Sequence, residues 1–158
     1  MKEIKLTQGK VALVDDEDFE YLNQWKWCFH NGYATRNAVL ENGGKRKTIR
    51  IHRVVLNCPD DLQVDHINHN TLDNRKENLR LCTVKQNSGN QRGHSKSSSG
   101  YRGVSWIVQH EKWAAQLVEN HNHHFLGYYD DKEEAARAFD KASKLYYGEF
   151  AFLNFPNG

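Results

Sequence analysis

The 158-residue chain lacks most of the features that staple or anchor a protein. Its three cysteines, Cys28, Cys58 and Cys82, are scattered and form no CxxC pair, which argues against a disulfide framework and against a thiolate zinc site. No apolar run approaches the roughly 18 residues that a membrane span needs, so no membrane partner is expected. The N-terminus has no cationic start followed by an apolar segment, so no secretory signal is read and the expected compartment is the cytoplasm. Charge of one sign is also scarce: the net charge is only +2, which by itself says little about nucleic acid.

Aromatic residues and local clusters of charge are present. Four Trp, seven Tyr and seven Phe give core-forming capacity to a chain that is only 38% apolar. Cations gather in two stretches: five between Lys45 and Arg53 with no acid, and seven between Arg75 and Gly103 against Glu77 alone. The acids collect elsewhere, at Asp15 to Glu20 and Asp130 to Glu134. Two basic patches on a near-neutral chain are suited to following a phosphate backbone.

Period and punctuation divide the chain. "KVALV" at 10–14 reads as a strand and "DDEDFEYLNQ" as a short helix capped by Asp15 or Asp16. "WKWCFHNGYATRN" reads as a hairpin turning at Asn31-Gly32, and "ENGGK" at 41–45 as a second turn. "IRIHRVVLN" reads as a strand leading into a helical turn, and "NLRLCT" as a strand followed by a short helix. The Gly/Ser-rich 89–99 is the clearest linker. It separates a first domain, 1–88, from a second, 100–158. There, three strands precede the helix "DKEEAARAFDKASKLYYG", with Asp131 at its start and Gly148 at its stop. The class is α+β.

"QVDHINHNTLDNRKENLRLC", residues 63–82, suits no ordinary strand or helix. Phosphodiester hydrolysis needs a base near neutral pH, which His supplies. It also needs neutralisation of developing charge, which a hard divalent cation held by oxygen ligands supplies. Asp65 and His66 are adjacent, Asn78 lies 12 residues after His66, and Asn87 lies 9 further on. If 65–66 leave a strand and 79–83 return beside it, the following helix brings Asn87 toward Asp65 while His66 points another way. Taken singly, an Asp-His pair is ordinarily a surface loop and a helix Asn ordinarily a cap. The signal is their joint spacing.

"VDHINHNTLDNRKENLRLCTVKQNSGNQ" resembles the HNH nuclease motif as carried by phage and intron-encoded homing endonucleases. The resemblance implies a ββα-metal core, with Asp65 and Asn87 as ligands of one divalent cation, Mg²⁺ or alternatively Mn²⁺. It further implies His66 as general base and Asn78 as the brace of the loop. "IHRVVL" upstream is similar too and implies phosphate contacts by His52 and Arg53. Arg75 and Arg80 are candidate DNA contacts in the same basic stretch. His69 stands where relatives often have Gly, and it creates a His66-x-x-His69 spacing without thiolates in register.

"YRGV", "KWAAQL", "LGYYDDKEEAARAFDKAS" and "LNFP" make residues 99–156 resemble the plant ethylene-response-factor (Apetala-type) DNA-binding domain, a three-stranded antiparallel sheet packed on one helix. By that resemblance Arg102 contacts base or phosphate, and Trp106, Lys112, Trp113 and Gln116 lie on strands facing DNA. Ser105, Gln116 and Phe125 replace residues that are commonly Arg or Trp there, which implies weaker binding than a transcription factor's. The expectation is a metal-dependent endonuclease acting on double-stranded DNA, phage-encoded or homing, as a monomer or homodimer. The rival is a DNA-binding regulator built on a nuclease shell that does not cut; a decayed shell would tend to lose the Asp65, His66, Asn78 and Asn87 set.

Overall fold

The computed structural model describes residues 1–39, 44, 46–90, 98–119 and 122–156. The turn read at 41–45 and most of the 89–99 linker lie outside the described residues. The chain divides into two compact units, Met1–Thr83 and Val84–Gly158. The helix that composition grouped with the first domain therefore clusters with the second unit.

In the first unit, β1 (Lys2–Lys5) pairs antiparallel with β2 (Val11–Val14). α1 (Asp16–Leu22) follows, with three acids in its first turn, where the helix dipole favours negative charge. Asp15 stands at the N-cap but gives α1 no side-chain bond; its Oδ2 accepts instead from the Lys76 N–H at 2.8 Å. β3 (Cys28–His30), β4 (Tyr33–Val39) and β5 (Arg46–Arg50) form an antiparallel sheet in the order β3-β4-β5. Asn31 (φ 48°) and Gly32 (φ 86°) make the β3–β4 turn, both in the left-handed region that Asn and Gly tolerate best.

α2 (Ile51–Val55) continues directly from β5, so the strand-like "IRIH" is strand only to Arg50. β6 (Gln63–His66) and β7 (Leu79–Cys82) then form a separate antiparallel pair. Ile4, Ala12, Val14, Leu22, Trp27, Ala34 and Ile51 are the buried apolar centre of this unit. β1 escaped the sequence reading because Lys2, Glu3 and Lys5 surround its one buried side chain, Ile4.

The second unit begins with α3 (Val84–Gly89). β8 (Val104–Ile107), β9 (Lys112–Glu119) and β10 (Asn122–Tyr129) form an antiparallel sheet with β9 central. α4 (Lys132–Tyr147) is capped as expected: the Asp131 carboxylate accepts from the N–H groups of Glu133 (2.7 Å) and Glu134 (3.0 Å). Ala135 and Ala136 of α4 are fully buried against Val104 and Ala115, the small side chains allowing close approach. Gly103 sits at φ +73°, and a Cβ there would lie 2.0 Å from the Phe139 ring, so both conformation and space demand glycine. The "LNFP" tail is clamped by buried Asp140, whose carboxylate accepts from the N–H groups of Asn154 (2.8 Å) and Phe155 (2.9 Å).

Register corrects one expectation. Trp106 pairs with Trp113 and Val104 with Ala115, so by two-residue alternation all four share one face, and Trp113 packs into the core beneath α4. The opposite, free face carries Lys112 and Gln116 together with Phe125 and Tyr128, and the tryptophans are not on it.

Candidate active site

β6 and β7 face each other in the register Asp65↔Arg80 and His66↔Leu79. Alternation sends Asp65 to one side and His66 to the other. Asp65 is buried, and both Nε (2.9 Å) and Nη2 (2.8 Å) of Arg80 meet its Oδ2. His66 is buried on its own side, where its Nε2 lies 3.3 Å from Asn74 Oδ1. The His52 ring meets His66 edge-on at 5.1 Å between centroids, and the Tyr33 ring stands 6.2 Å away.

The crowded loop between the two strands is a hydrogen-bonded knot built from short amide and carboxylate side chains. Asn78 Oδ1 accepts from the Asn68 N–H (2.9 Å), while its Nδ2 donates to the Asp73 carbonyl (2.8 Å). Asp73 accepts a bidentate pair from Arg75, Nε and Nη2 both at 2.8 Å, and a further bond from Asn68 Nδ2 at 3.0 Å. These partners hold the Asp73 carboxyl below its ordinary value, Arg75 foremost. Leu13 of β2 anchors the knot: its N–H donates to Leu72 and its carbonyl accepts from Asn74, both at 2.8 Å. His69 adopts φ 60°, which explains physically why a glycine suits that position.

Electrostatics separate the two histidines. Burial pushes His66 below its ordinary value, opposed by the Asn74 hydrogen bond and by the Asp65 and Asp73 carboxylates. His52 is pushed down to about 3, by burial first and then by His66, Arg50 and Arg53. At neutral pH His52 is therefore an uncharged, buried neighbour of the His66 ring, a poor match for the phosphate contact expected of it.

The arginines named from the sequence are engaged inside the fold. Arg53 Nη1 donates to Leu62 O at 2.9 Å and Nη2 to Pro59 O at 2.8 Å, closing the turn after α2. Arg75 binds Asp73 and Glu77, and Arg80 binds Asp65. In the second unit Arg102 donates to Gly89 O (2.7 Å) and Ser88 O (3.2 Å), the last carbonyls of α3, between the Phe139 and Phe152 rings. Lys112 pairs with Asp130 at 2.6 Å, and Gln116 gives its backbone N–H to Gly103 O. Arg46 and Arg50 of β5 belong to the basic stretch Lys45–Arg53 but were not singled out within it; both are exposed, and Arg50 lies 5.2 Å over the Tyr33 ring, itself 6.2 Å from the His66 ring. Asn74 was passed over as well; among so many loop asparagines nothing in the sequence distinguishes it.

Asn87 is half-buried on α3 in the second unit. Among the described residues no group of three His, Cys, Asp or Glu side chains is arranged to hold an ion, so the His66 and His69 spacing gains no third ligand of those types there. A hard divalent cation asks for less, taking one or two protein oxygens and completing its shell with water and phosphate oxygens. The Asp65 carboxylate and the Asn87 amide oxygen are donors of that kind, and the donor chemistry fits such a cation.

A two-stranded antiparallel pair whose first strand ends on a buried Asp-His, an Asn-braced return loop and a helix next in sequence are the elements of a nuclease of the ββα class. A family model described as HNH endonuclease matches residues 57–88, a stretch containing Asp65, His66, Asn78 and Asn87. The chain is 31% identical over 154 residues to an uncharacterized HNH endonuclease of Acanthamoeba polyphaga mimivirus, covering 93% of this chain and 76% of that one. It is 31% identical over 93 residues to protein 3.8 of Escherichia phage T7, covering 59% of this chain and 76% of the relative. The chain belongs to the HNH endonuclease family. A shorter likeness, 43% over 63 residues, links 39% of it to 17% of a rice AP2/ERF and B3 domain-containing protein.

Proposed function

We propose that the protein is a metal-dependent endonuclease that hydrolyses phosphodiester bonds in duplex DNA, encoded by a phage or mobile element and acting in the host cytoplasm. The observation that carries this is His66: an imidazole next to Asp65 in the chain, buried, held by Asn74, and shifted by burial toward its neutral, proton-accepting form. In the reaction His66 takes a proton from water. The water oxygen bonds to phosphorus, and the bond from phosphorus to the 3′ oxygen breaks. Asp65, with Asn87 as the second ligand that the family resemblance assigns, would hold a divalent cation. When bound, the cation neutralises charge on the phosphate and the departing oxygen. Asn78 keeps the loop closed by bonding the backbone at Asn68 and Asp73, so that the chain leaving His66 stays fixed.

DNA is gripped by cations that are exposed to solvent. On β5, Arg46 and Arg50 alternate onto the face that carries Tyr33 and Thr35, and Arg50 lies over the Tyr33 ring that neighbours His66. The second unit adds affinity through the free face of its sheet. With Lys112 already paired to Asp130, that face serves as a tether that raises local concentration more than as a sequence reader. Supercoiled plasmid incubated with Mg²⁺ is expected to be nicked or linearised, with EDTA abolishing the reaction. His66→Ala is expected to stop cleavage while leaving DNA affinity intact. Equal loss of cleavage and affinity in that variant would overturn the base assignment.

A further inference from the structure

We infer that Asn74 is the positioning residue that fixes the His66 proton on Nε2, and so makes Nδ1 the nitrogen that accepts the proton of the attacking water. The inference rests on the reading of His66 as general base. Its ground is the direction of three hydrogen bonds. Asn74 Nδ2 donates to the Leu72 carbonyl at 3.1 Å. That choice turns Oδ1 toward His66, 3.3 Å from Nε2. A rotated amide would set Oδ1 against the Leu72 carbonyl, two acceptors face to face. The backbone removes the remaining freedom, because the Asn74 N–H donates to Leu13 O while the same Leu72 carbonyl accepts from the Leu13 N–H, both at 2.8 Å. The amide is therefore oriented by a loop carbonyl, Leu72 O, which β2 in turn holds in place through Leu13.

An amide oxygen can only accept, so the nitrogen facing it must carry hydrogen. In a neutral imidazole the lone pair is then on Nδ1. Burial makes the choice firm: Asn74 is 1% exposed and His66 5%, so bulk water does not compete for Nε2. His52 meets the ring edge-on at 87°, which opposes rotation of the imidazole. Asn78 and Asn74 thus divide the work. Asn78 bonds the loop backbone on either side, and Asn74 bonds the base itself.

The test begins with the unmodified full-length protein. Uniformly ¹⁵N-labelled protein is studied by long-range ¹H–¹⁵N correlation at a pH where His66 is neutral. The expected spectrum for His66 shows a protonated Nε2 and an unprotonated Nδ1; a protonated Nδ1 would overturn the proposal with no variant needed. Asn74→Ala is then compared with wild type in single-turnover plasmid cleavage, in DNA affinity and in thermal midpoint. The cleavage rate is expected to fall about tenfold to a hundredfold, the usual loss when the partner that orients a site's histidine is removed. DNA affinity should stay unchanged and the tautomer signal should become mixed. Asn74→Asp keeps an acceptor facing Nε2 but gives up the bond to the Leu72 carbonyl, and is expected to recover the single tautomer and only part of the rate. An Asn74→Ala protein that cleaves at the wild-type rate would overturn the proposal. Cleavage by His66→Ala at the wild-type rate would instead remove the base reading, and the two failures are distinguishable because the spectrum does not depend on turnover.

Discussion

Arg80 closes on Asp65 across the β6–β7 pair, with Nε and Nη2 both on the single oxygen Oδ2 at 2.9 and 2.8 Å. Both side chains are largely buried, so this is no surface ion pair. Arg80→Leu would leave a carboxylate buried without that guanidinium, a change that typically costs about 3 kcal/mol or more. The expected outcome is a lower urea midpoint in EDTA, partly regained on adding Mg²⁺, with DNA affinity in low salt little changed. A variant with the wild-type midpoint but weakened DNA binding would return Arg80 to the DNA-contact role expected from the sequence.

His52 sets an acid limit on stability. Its pKa is near 3 in the fold against an ordinary value of 6.5, so the native state keeps it neutral where the unfolded chain protonates it. The unfolded state then binds the extra proton, and stability falls as pH drops from about 6.5 toward 3, by up to about 1.4 kcal/mol per pH unit. Above 6.5 the contribution is fully present. Urea unfolding at pH 8 and pH 5 should show this loss in wild type and a smaller one in His52→Asn. Equal losses in the two proteins would show that His52 is not the group responsible.

Much of the scaffold was legible because local chemistry decides it. Asn31-Gly32 can take two consecutive positive φ values, Asp131 and Gly148 bracket α4, and alternation alone separates Asp65 from His66. Alternation should equally have separated Lys112 from Trp113, since adjacent strand residues cannot share a face. What no pattern reveals is where a guanidinium ends. Arg53, Arg75, Arg80 and Arg102 look alike in a basic stretch, yet each is drawn onto a carbonyl or carboxylate, near in sequence for Arg53 and Arg75 and supplied by more distant folding for Arg80 and Arg102. Asn74 was hidden for the same reason: its partners Leu13 and His66 are set by tertiary structure.

If the cations that meet phosphate are on β5, their removal should change binding through counterion release. Arg50→Ala and Arg46→Ala should each weaken DNA binding regardless of sequence, and each should reduce the slope of log K against log salt by about one. Neither exposed side chain should alter the urea midpoint appreciably. An unchanged salt slope in both variants would remove β5 from the DNA-binding surface.

Arg102 offers the opposite contrast. By family resemblance it is a DNA contact, yet its two terminal nitrogens bond Gly89 O and Ser88 O, and its plane lies between two Phe rings. Those carbonyls end α3, where no intrahelical donor remains and a cation also complements the helix dipole. Hydrogen bonds to a charged group contribute about 1.5 to 3 kcal/mol each, so Arg102→Ala should lower stability by at least about 2 kcal/mol. Lysine cannot reproduce the fork, so Arg102→Lys should recover little of it. Calorimetry of the full chain should register the loss, while the salt slope of DNA binding, measured below the unfolding transition, should stay at the wild-type value. A reduced slope with unchanged stability would place the guanidinium on phosphate after all, and would mean that DNA can draw Arg102 away from the helix end it closes.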